Sequence, residues 1–444
     1  MSTQATAPDK FTEFVLEHEN DDTARLLLSK GRWKDVDIDL AVNTILSRRK
    51  LRDKVPAWYS HAGLVYPAKL SAEQCSSQDT AGYKAGLALR LHRGQAENCS
   101  HLHRTAPEAN AIDVPEDETR HIPEPDLHIA DLTGGLGVDS WAFSKVAGKV
   151  FYNEMDPALA HAARHNFLTL GASGISVHNS TLSPGSTAEL LEDFRPGIIF
   201  LDPARRADNG KKVFMIEDCR PDVLGLKDEL LDISKYLMVK LSPMADISMV
   251  TEKLGRQCSE LHVVASGGEC KELLAVLDRD FGGECRIVVC SDAGRAGRGI
   301  FSFTRTEERA APAVFVSGEE EASRSSFLFE PGKALMKSGA FNLVSSRFGI
   351  KKISRSTHLY LFSEETLATA LKDYGKVFRI LEVLPMNGRG IRLAGEKYPE
   401  AEVSARNIRM SSDHLRKKLG IRPGDRYYIF GAEYLFVTSK MKFL

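Results

Sequence analysis

From residue 128 onward the chain repeats one pattern: a short apolar run, a polar or glycine-bearing turn, then apolar residues spaced three and four apart. LHIADL, KVFYNE, ISVHNS, GIIFLDP, YLMVKLSP, ELHVVAS and CRIVVCS are the strand-like runs, mostly separated by helical stretches. Strands that alternate with helices pair in parallel, because each helix carries the chain back across a face of the sheet. The pattern therefore predicts an α/β fold with a doubly wound, Rossmann-like sheet, whose ligand chemistry collects at the carboxyl ends of its strands. The first such end is IADLTGGLGVDS, residues 129–140. A strand closes at Asp131, and Gly134, Gly135 and Gly137 then let the backbone turn tightly and approach a ligand before a helix begins. A glycine loop alone would also serve a plain strand–helix turn.

The second strand narrows the choice of ligand. KVFYNEMDP ends it in Glu154, placed to accept hydrogen bonds from a ribose diol, with Met155 beside it. A dinucleotide loop needs G-x-G-x-x-G, but Gly135 and Gly137 are followed by Ser140, so the third glycine is missing. Asp131 stands before the loop instead. A carboxylate repels a pyrophosphate and attracts an ammonium or sulfonium. These features favour S-adenosyl-L-methionine, which carries both cations and no phosphate. Asp131, Thr133, Gly134, Gly135, Gly137, Glu154 and Met155 are its candidate contacts.

The 444 residues suffice for two to four domains. Hydrophobic residues make up 43% and charged residues 27%, which excludes a largely disordered chain. No run approaches the roughly 20 apolar residues that span a bilayer. The start, MSTQATAPDKF, lacks a basic and then apolar leader pattern. Seven scattered cysteines without a CxxC fit reduced thiols, so a cytoplasmic protein is expected. The net charge of −1 conceals an asymmetry: from Pro331 onward 21 Lys+Arg stand against 10 Asp+Glu, leaving 38 against 50 before it. A basic module on an acidic body suits a polyanion, although chance clustering on solvated faces gives the same count.

Residues 1–92 read as a helical domain, with Ser71 just before one helical stretch and Asp79 or Thr80 as cap of the next. Residues 93–127, rich in His, Pro and acids, read as a linker or surface insertion. Cys99, His101 and His103 within it match no common zinc spacing, and no metal site is expected. Residues 128–305 form the sheet domain. Residues 306–444 mix strands and helices as a basic α+β domain, with Lys351, Lys352, Arg355, Arg406, Arg409, Arg416, Lys417 and Lys418 interleaved with Tyr427 and Tyr428.

Asp131-Leu-Thr-Gly-Gly-Leu-Gly137 resembles the first motif of the class I S-adenosylmethionine-dependent methyltransferases, and Glu154 resembles their ribose-binding acid. Asn179-Ser180 stands where that family usually has an acid near the adenine, and the resemblance adds Asn179, Ser180 and Asp202 to the candidate cofactor contacts. Asp202-Pro203-Ala204-Arg205 falls at the family's fourth motif, on the substrate side. DLTGGLGVDS with LDP is similar to the guanine-N2 methyltransferases of small-subunit ribosomal RNA. Across most of the chain, YPAKLSAEQCSSQDTAGYKA, LDPARR, VKLSPM, GGECKELL, FEPGKALMKSGAF and VSARNIRMSSDHLRKKL resemble a bacterial group with a THUMP-like C-terminal domain. The resemblance implies methylation of a base in ribosomal or transfer RNA.

Enzymes that methylate exocyclic amines of bases usually close the fourth motif with an aromatic that stacks on the extruded base. Here Arg205 and Arg206 occupy that place, which weakens an adenine-N6 reading and leaves a lean to guanine. Carbon-5 methylation of pyrimidines needs a cysteine nucleophile, and neither Pro203-Ala204 nor Ser242-Pro243 supplies one. Asp202, Pro203 and Arg205 are the candidate catalytic residues, and Arg205, Arg206, Lys240, Arg406 and Lys417 the candidate substrate contacts. Lys84, beside Tyr83, either reaches the cleft or packs. A methyltransferase for a protein or small molecule, and a non-catalytic RNA-binding protein retaining the cofactor fold, stay open as alternatives.

Overall fold

The computed structural model of the protein describes residues 9–94, 124–205, 215–295 and 299–441. Helices α1 (Lys10–Glu17), α2 (Thr23–Leu28), α3 (Ile38–Lys54), α4 (Pro56–Tyr59), α5 (Lys69–Gln74) and α6 (Gln78–His92) come first. Asp9, Asp22, Asp37 and Ser77 cap α1, α2, α3 and α6 by accepting a first-turn N–H. Ser77 thus takes the capping role expected of Asp79 or Thr80, both of which lie inside α6, while Ser71 lies inside α5. Phe14, Val15, Leu26, Ile38, Val42 and Ile45 form a small core of their own. Further along, Leu51, Trp58, Tyr66, Leu87 and Leu91 join Leu127, Ile129, Phe200 and Met238 in the core on one face of the main sheet.

The middle of the chain runs β1 (Glu124–Asp131), α7 (Val138–Phe143), β2 (Ala147–Asn153), α8 (Pro157–Thr169), β3 (Ile175–His178), α9 (Thr187–Leu190), β4 (Ile198–Leu201), β5 (Ala204–Arg205) and β6 (Cys219–Arg220). It continues with α10 (Val223–Ile233), β7 (Tyr236–Leu241), α11 (Ile247–Leu254), β8 (Cys258–Ser266), β9 (Glu269–Asp278), β10 (Arg286–Cys290) and β11 (Ile300–Thr304). The nine-stranded sheet has the order β11-β10-β8-β9-β7-β4-β1-β2-β3. From β3 through β7 every neighbour is parallel. The chain builds outward from β1 to β3, then returns to β4 on the other side, so the ends of β1 and β4 flank a switch point. There Asp131 stands level with Tyr152 on β2 and Phe200 on β4.

Three elements depart from the sequence pattern. β1 begins at Glu124, three residues before the expected first strand. β9 folds back from β8 across Gly267-Gly268 and lies antiparallel between β7 and β8. The edge strand β11 pairs antiparallel with β10.

The chain closes with α12 (Arg305–Ala310), α13 (Glu319–Arg324), β12 (Phe327–Pro331), α14 (Lys333–Ser338), α15 (Phe341–Phe348), β13 (Lys351–Lys352), β14 (Tyr360–Phe362) and α16 (Glu365–Leu371). Then come β15 (Gly375–Pro385), α17 (Gly388–Lys397), β16 (Glu402–Ala405), α18 (Ser412–Leu419), β17 (Tyr428–Gly431) and β18 (Tyr434–Lys440). Its seven strands order as β13-β14-β12-β15-β18-β17-β16. Phe327, Phe329, Leu335 and Tyr360 share one core with Leu261, Ile287 and Phe301 of the main sheet. Leu384, Tyr398, Val403, Leu415, Ile429 and Val437 form a separate core. None of the described helices is long and apolar enough to cross a membrane.

Candidate active site

The glycine loop is held from several sides. Asp131 is buried at the end of β1, where one carboxyl oxygen accepts from the Ser140 hydroxyl (2.5 Å) and the other from Thr133 N–H (3.2 Å). Burial pushes its pKa up to about 8; those two hydrogen bonds oppose the shift, and the nearby Asp139 and Asp202 add to it. Thr133 Oγ1 accepts from Asp202 N–H (2.6 Å), tying the loop to the end of β4. Asn153 joins the ends of β1 and β3: its amide donates to the Leu132 and Ser180 carbonyls, and its oxygen accepts from Ser180 N–H.

The glycines are demanded for different reasons. A Cβ on Gly134 would meet the Tyr152 ring at 2.1 Å, and one on Gly137 would meet Phe167 at 2.6 Å. Those two are glycine because buried rings pack against the loop. Gly135 has φ +52 and nothing closer than 3.9 Å to an added Cβ. Its carbonyl accepts from Tyr152 OH (2.6 Å) and its N–H donates to Glu154 (2.8 Å), while the other Glu154 oxygen accepts from Asp156 N–H (2.9 Å). Asp131 and Glu154 therefore bracket one open stretch of backbone.

A network of buried charges lies across from the loop. Lys84 on α6 is fully buried and donates to Glu272 on β9 (2.8 and 3.1 Å) and to Ser76 Oγ (3.0 Å), with Asp139 Oδ1 at 3.1 Å. Ser76 Oγ also receives Lys240 Nζ (3.3 Å) and donates its single proton to Asp139 (2.7 Å). Lys240, on β7, forms an ion pair with Asp202 at 2.6 Å. Burial opposes the charge of Lys240, but Asp202, Glu272 and Asp139 outweigh it and hold the ammonium well above the ordinary lysine range. Burial raises Glu272 against the pull of Lys84 and Lys240. Four acids, Asp131, Asp139, Asp202 and Glu272, thus face two ammoniums, an imbalance that suits a cationic ligand.

These groups surround a cavity of about 1560 Å³, bounded by the glycine loop, Asp202–Ala204, Lys240–Ser242, Glu272 and the stretch Ser71–Thr80. Single-ligand clefts usually hold about 300–1,000 Å³, so there is room for a cofactor and part of a second molecule.

Of the candidate residues, Thr133, Gly134, Gly135, Gly137, Glu154, Met155, Ser180, Asp202, Pro203 and Lys240 line this cavity. Asp131 sits directly behind the loop. Asn179 does not line it: its amide donates to the carbonyls of Glu154 (2.6 Å) and Met155 (3.1 Å) and shapes the turn after β2. Arg205 contributes backbone to β5, paired with Cys219 on β6. Arg206 lies outside the described residues, as do Cys99, His101 and His103. Arg406 and Lys417 do not line the cavity; Arg406 is paired with Glu330 on β12, and Lys417 is exposed on α18. Lys84 belongs to the polar network, whereas Tyr83 turns to His262 on β8 (2.7 Å). Ser76, Asp139 and Glu272 escape a sequence reading. The one available signal is a carboxylate inside the otherwise apolar run ELLAVL.

Residues 327–367 match a ferredoxin-like domain family and residues 375–439 a THUMP domain-like family. No curated protein matches the sequence. Among solved structures, a protein from Porphyromonas gingivalis W83 described as a candidate methyltransferase aligns with TM-score 0.76 and 26% identity, covering 98% of this chain and 100% of that one. The chain has a methyltransferase fold with a THUMP-like C-terminal domain. Other matches cover about a third of the chain. One is a Streptococcus mutans protein solved with SAH (12% identity, TM-score 0.25, 34% of this chain and 88% of that one). Another is an rRNA methylase from Streptococcus thermophilus (14% identity, TM-score 0.25, 35% and 89%). At that level of likeness they carry no argument about the methyltransferase sheet here.

Proposed function

We propose that the protein is an S-adenosyl-L-methionine-dependent methyltransferase that modifies a base in ribosomal or transfer RNA, with guanine favoured. The observation that carries this is the pairing of buried Asp131 with Glu154 around the open backbone of Gly135, at the switch point of a methyltransferase sheet. Asp131 with Asp202 suits the ammonium and sulfonium, Glu154 suits a ribose diol, and Met155 and Ser180 border the space beside it. The cofactor when bound supplies an electrophilic methyl group for in-line attack.

The chain's own groups then have definite tasks. Lys240 holds one oxygen of Asp202, which orients the other to accept a proton-bearing edge of the incoming amine. Because Lys240 stays charged, it serves as a donor and electrostatic anchor rather than as a base. Pro203 and Ala204 leave the position beyond Asp202 without a stacking ring, and the resemblance of the loop to guanine-N2 enzymes adds to the lean. Support for RNA comes from the THUMP-like match and from the excess of cations after Pro331.

Two measurements test the proposal. Calorimetry is expected to detect S-adenosylmethionine binding that Gly135→Asp and Glu154→Ala abolish; undiminished affinity in both variants refutes the site. Mass spectrometry of nucleosides from total RNA of deletion and parent cells is expected to reveal one missing methylated base. An identical nucleoside profile refutes the RNA reading and favours a protein or small-molecule acceptor.

A further inference from the structure

The cavity's two ends differ in chemistry. At the cofactor end the acids predominate. At the other, α3 and the start of β9 supply lysines. Lys54, the last residue of α3, lines the cavity half-buried and donates to the carbonyls of Ala72 (3.2 Å) and Glu73 (2.7 Å). It forms no ion pair among the described residues, although Asp53 and Glu73 lie on the same wall, and Glu73 is taken by Lys50 and Lys69 (3.9 and 3.5 Å). Lys271 reaches the cavity from β9, one residue before Glu272, and among the described residues its ammonium meets only the exposed carboxylate of Glu269 (3.0 Å). Burial, together with the like charges of Lys240 and Lys271, holds Lys54 below the ordinary lysine range. Lys54, which forms no ion pair among the described residues, and Lys271 line the same cavity, and an anion between their ammoniums relieves their mutual repulsion.

We infer that Lys54 and Lys271 bind a phosphodiester of the strand that carries the target base, at the substrate end of the cavity. This rests on the RNA reading above. A base that leaves its stack to enter the cavity brings its own backbone phosphate to the rim, so contacts there set which nucleotide is presented. Arg406 and Lys417 of the C-terminal domain do not line the cavity and cannot select a nucleotide in this way. The N-terminal helices thereby hold the substrate as well as cover the sheet.

The test uses the full chain with unfractionated bacterial tRNA and rRNA, wild type against Lys54→Met, Lys271→Met and the double variant. Each lost phosphate contact is expected to lower the log–log salt slope of RNA binding by about 0.7–0.9. Transfer of labelled methyl groups to RNA should fall in the same variants, while affinity for S-adenosylhomocysteine stays that of the wild type. Lys54→Arg should restore most of the slope. Because Lys54 also fastens α3 to the last turn of α5, Lys271→Met at its exposed position gives an independent measure free of folding effects. An unchanged slope in both single variants, with RNA still bound, overturns this proposal and leaves the RNA reading intact. Absence of RNA binding by the wild type overturns both.

Discussion

Asp131 combines a structural penalty with the binding role proposed for it. With its folded pKa at about 8 and an unfolded value near 4, the folded state holds a proton that the unfolded chain has released between those pH values. Folding stability therefore falls as pH rises from about 4 to 8 and is level above that. Asp131→Asn removes this dependence, so its melting temperature should exceed that of the wild type by a margin that widens up to pH 8. The same substitution should abolish S-adenosylmethionine binding. In the wild type a bound cation draws the carboxyl into its charged form, and affinity should therefore weaken as pH falls below 8, by up to about tenfold per unit. Parallel calorimetric scans and titrations at pH 5, 6, 7 and 8 check both halves, and a stability margin that does not change with pH contradicts the assignment. Asp131, Gly135, Glu154 and Asp202 are legible in the sequence because each closes a strand or loop whose local pattern announces it. Ser76, Asp139 and Glu272 are not, since their meaning depends on contacts such as Lys84 to Glu272, 188 residues apart.

Helix α6 and strand β9 meet through one buried cluster. Ser76, just before α6, fills its capacity there: both lone pairs face ammoniums and its proton goes to Asp139. Removing one partner of such a cluster leaves uncompensated charge in the core, which typically costs about 3–5 kcal/mol. Lys84→Met should accordingly lower the melting temperature sharply by stranding Glu272 and Asp139. The double variant Lys84→Met with Glu272→Leu should recover most of that loss, because an apolar pair of similar volume replaces the ionic one. A double-mutant cycle by thermal denaturation measures the coupling, and simple additivity would mean that the two residues do not act as a unit. These elements also show where sequence reading stops. Strands β1 to β4, β7 and β8 follow from alternation with helices, but β5 and β6 form a separate antiparallel pair, and β9 carries Glu269, Lys271 and Glu272 at its start, with nothing local to mark it as a strand inserted antiparallel between β7 and β8. Its charged entrance is polar because it borders the cavity.

Across the whole molecule, charge is divided by position. In the body, acids crowd the glycine-loop end of the cavity. In the C-terminal domain several of the basic residues are already engaged: Arg406 with Glu330, Lys351 with Glu321 and Arg416 with Asp413. Arg409, Lys417 and Lys418 are exposed and outside any ion pair among the described residues, beside a groove of about 780 Å³ between α17 and α18. Truncating the chain at Pro331 is a poor way to test this surface, because Leu335, Tyr360 and Phe362 share a core with the main sheet and their loss would expose it. Charge reversal in the full chain avoids that difficulty. The triple variant Arg409→Glu, Lys417→Glu and Lys418→Glu should lose retention on bulk RNA at low salt, with the melting temperature and S-adenosylhomocysteine affinity unchanged. Its effect should be similar for every RNA tested, since outer phosphate contacts hold a strand without reading it. Filter binding across several RNAs and salt concentrations decides the matter. Equal retention by variant and wild type would assign RNA capture to another face.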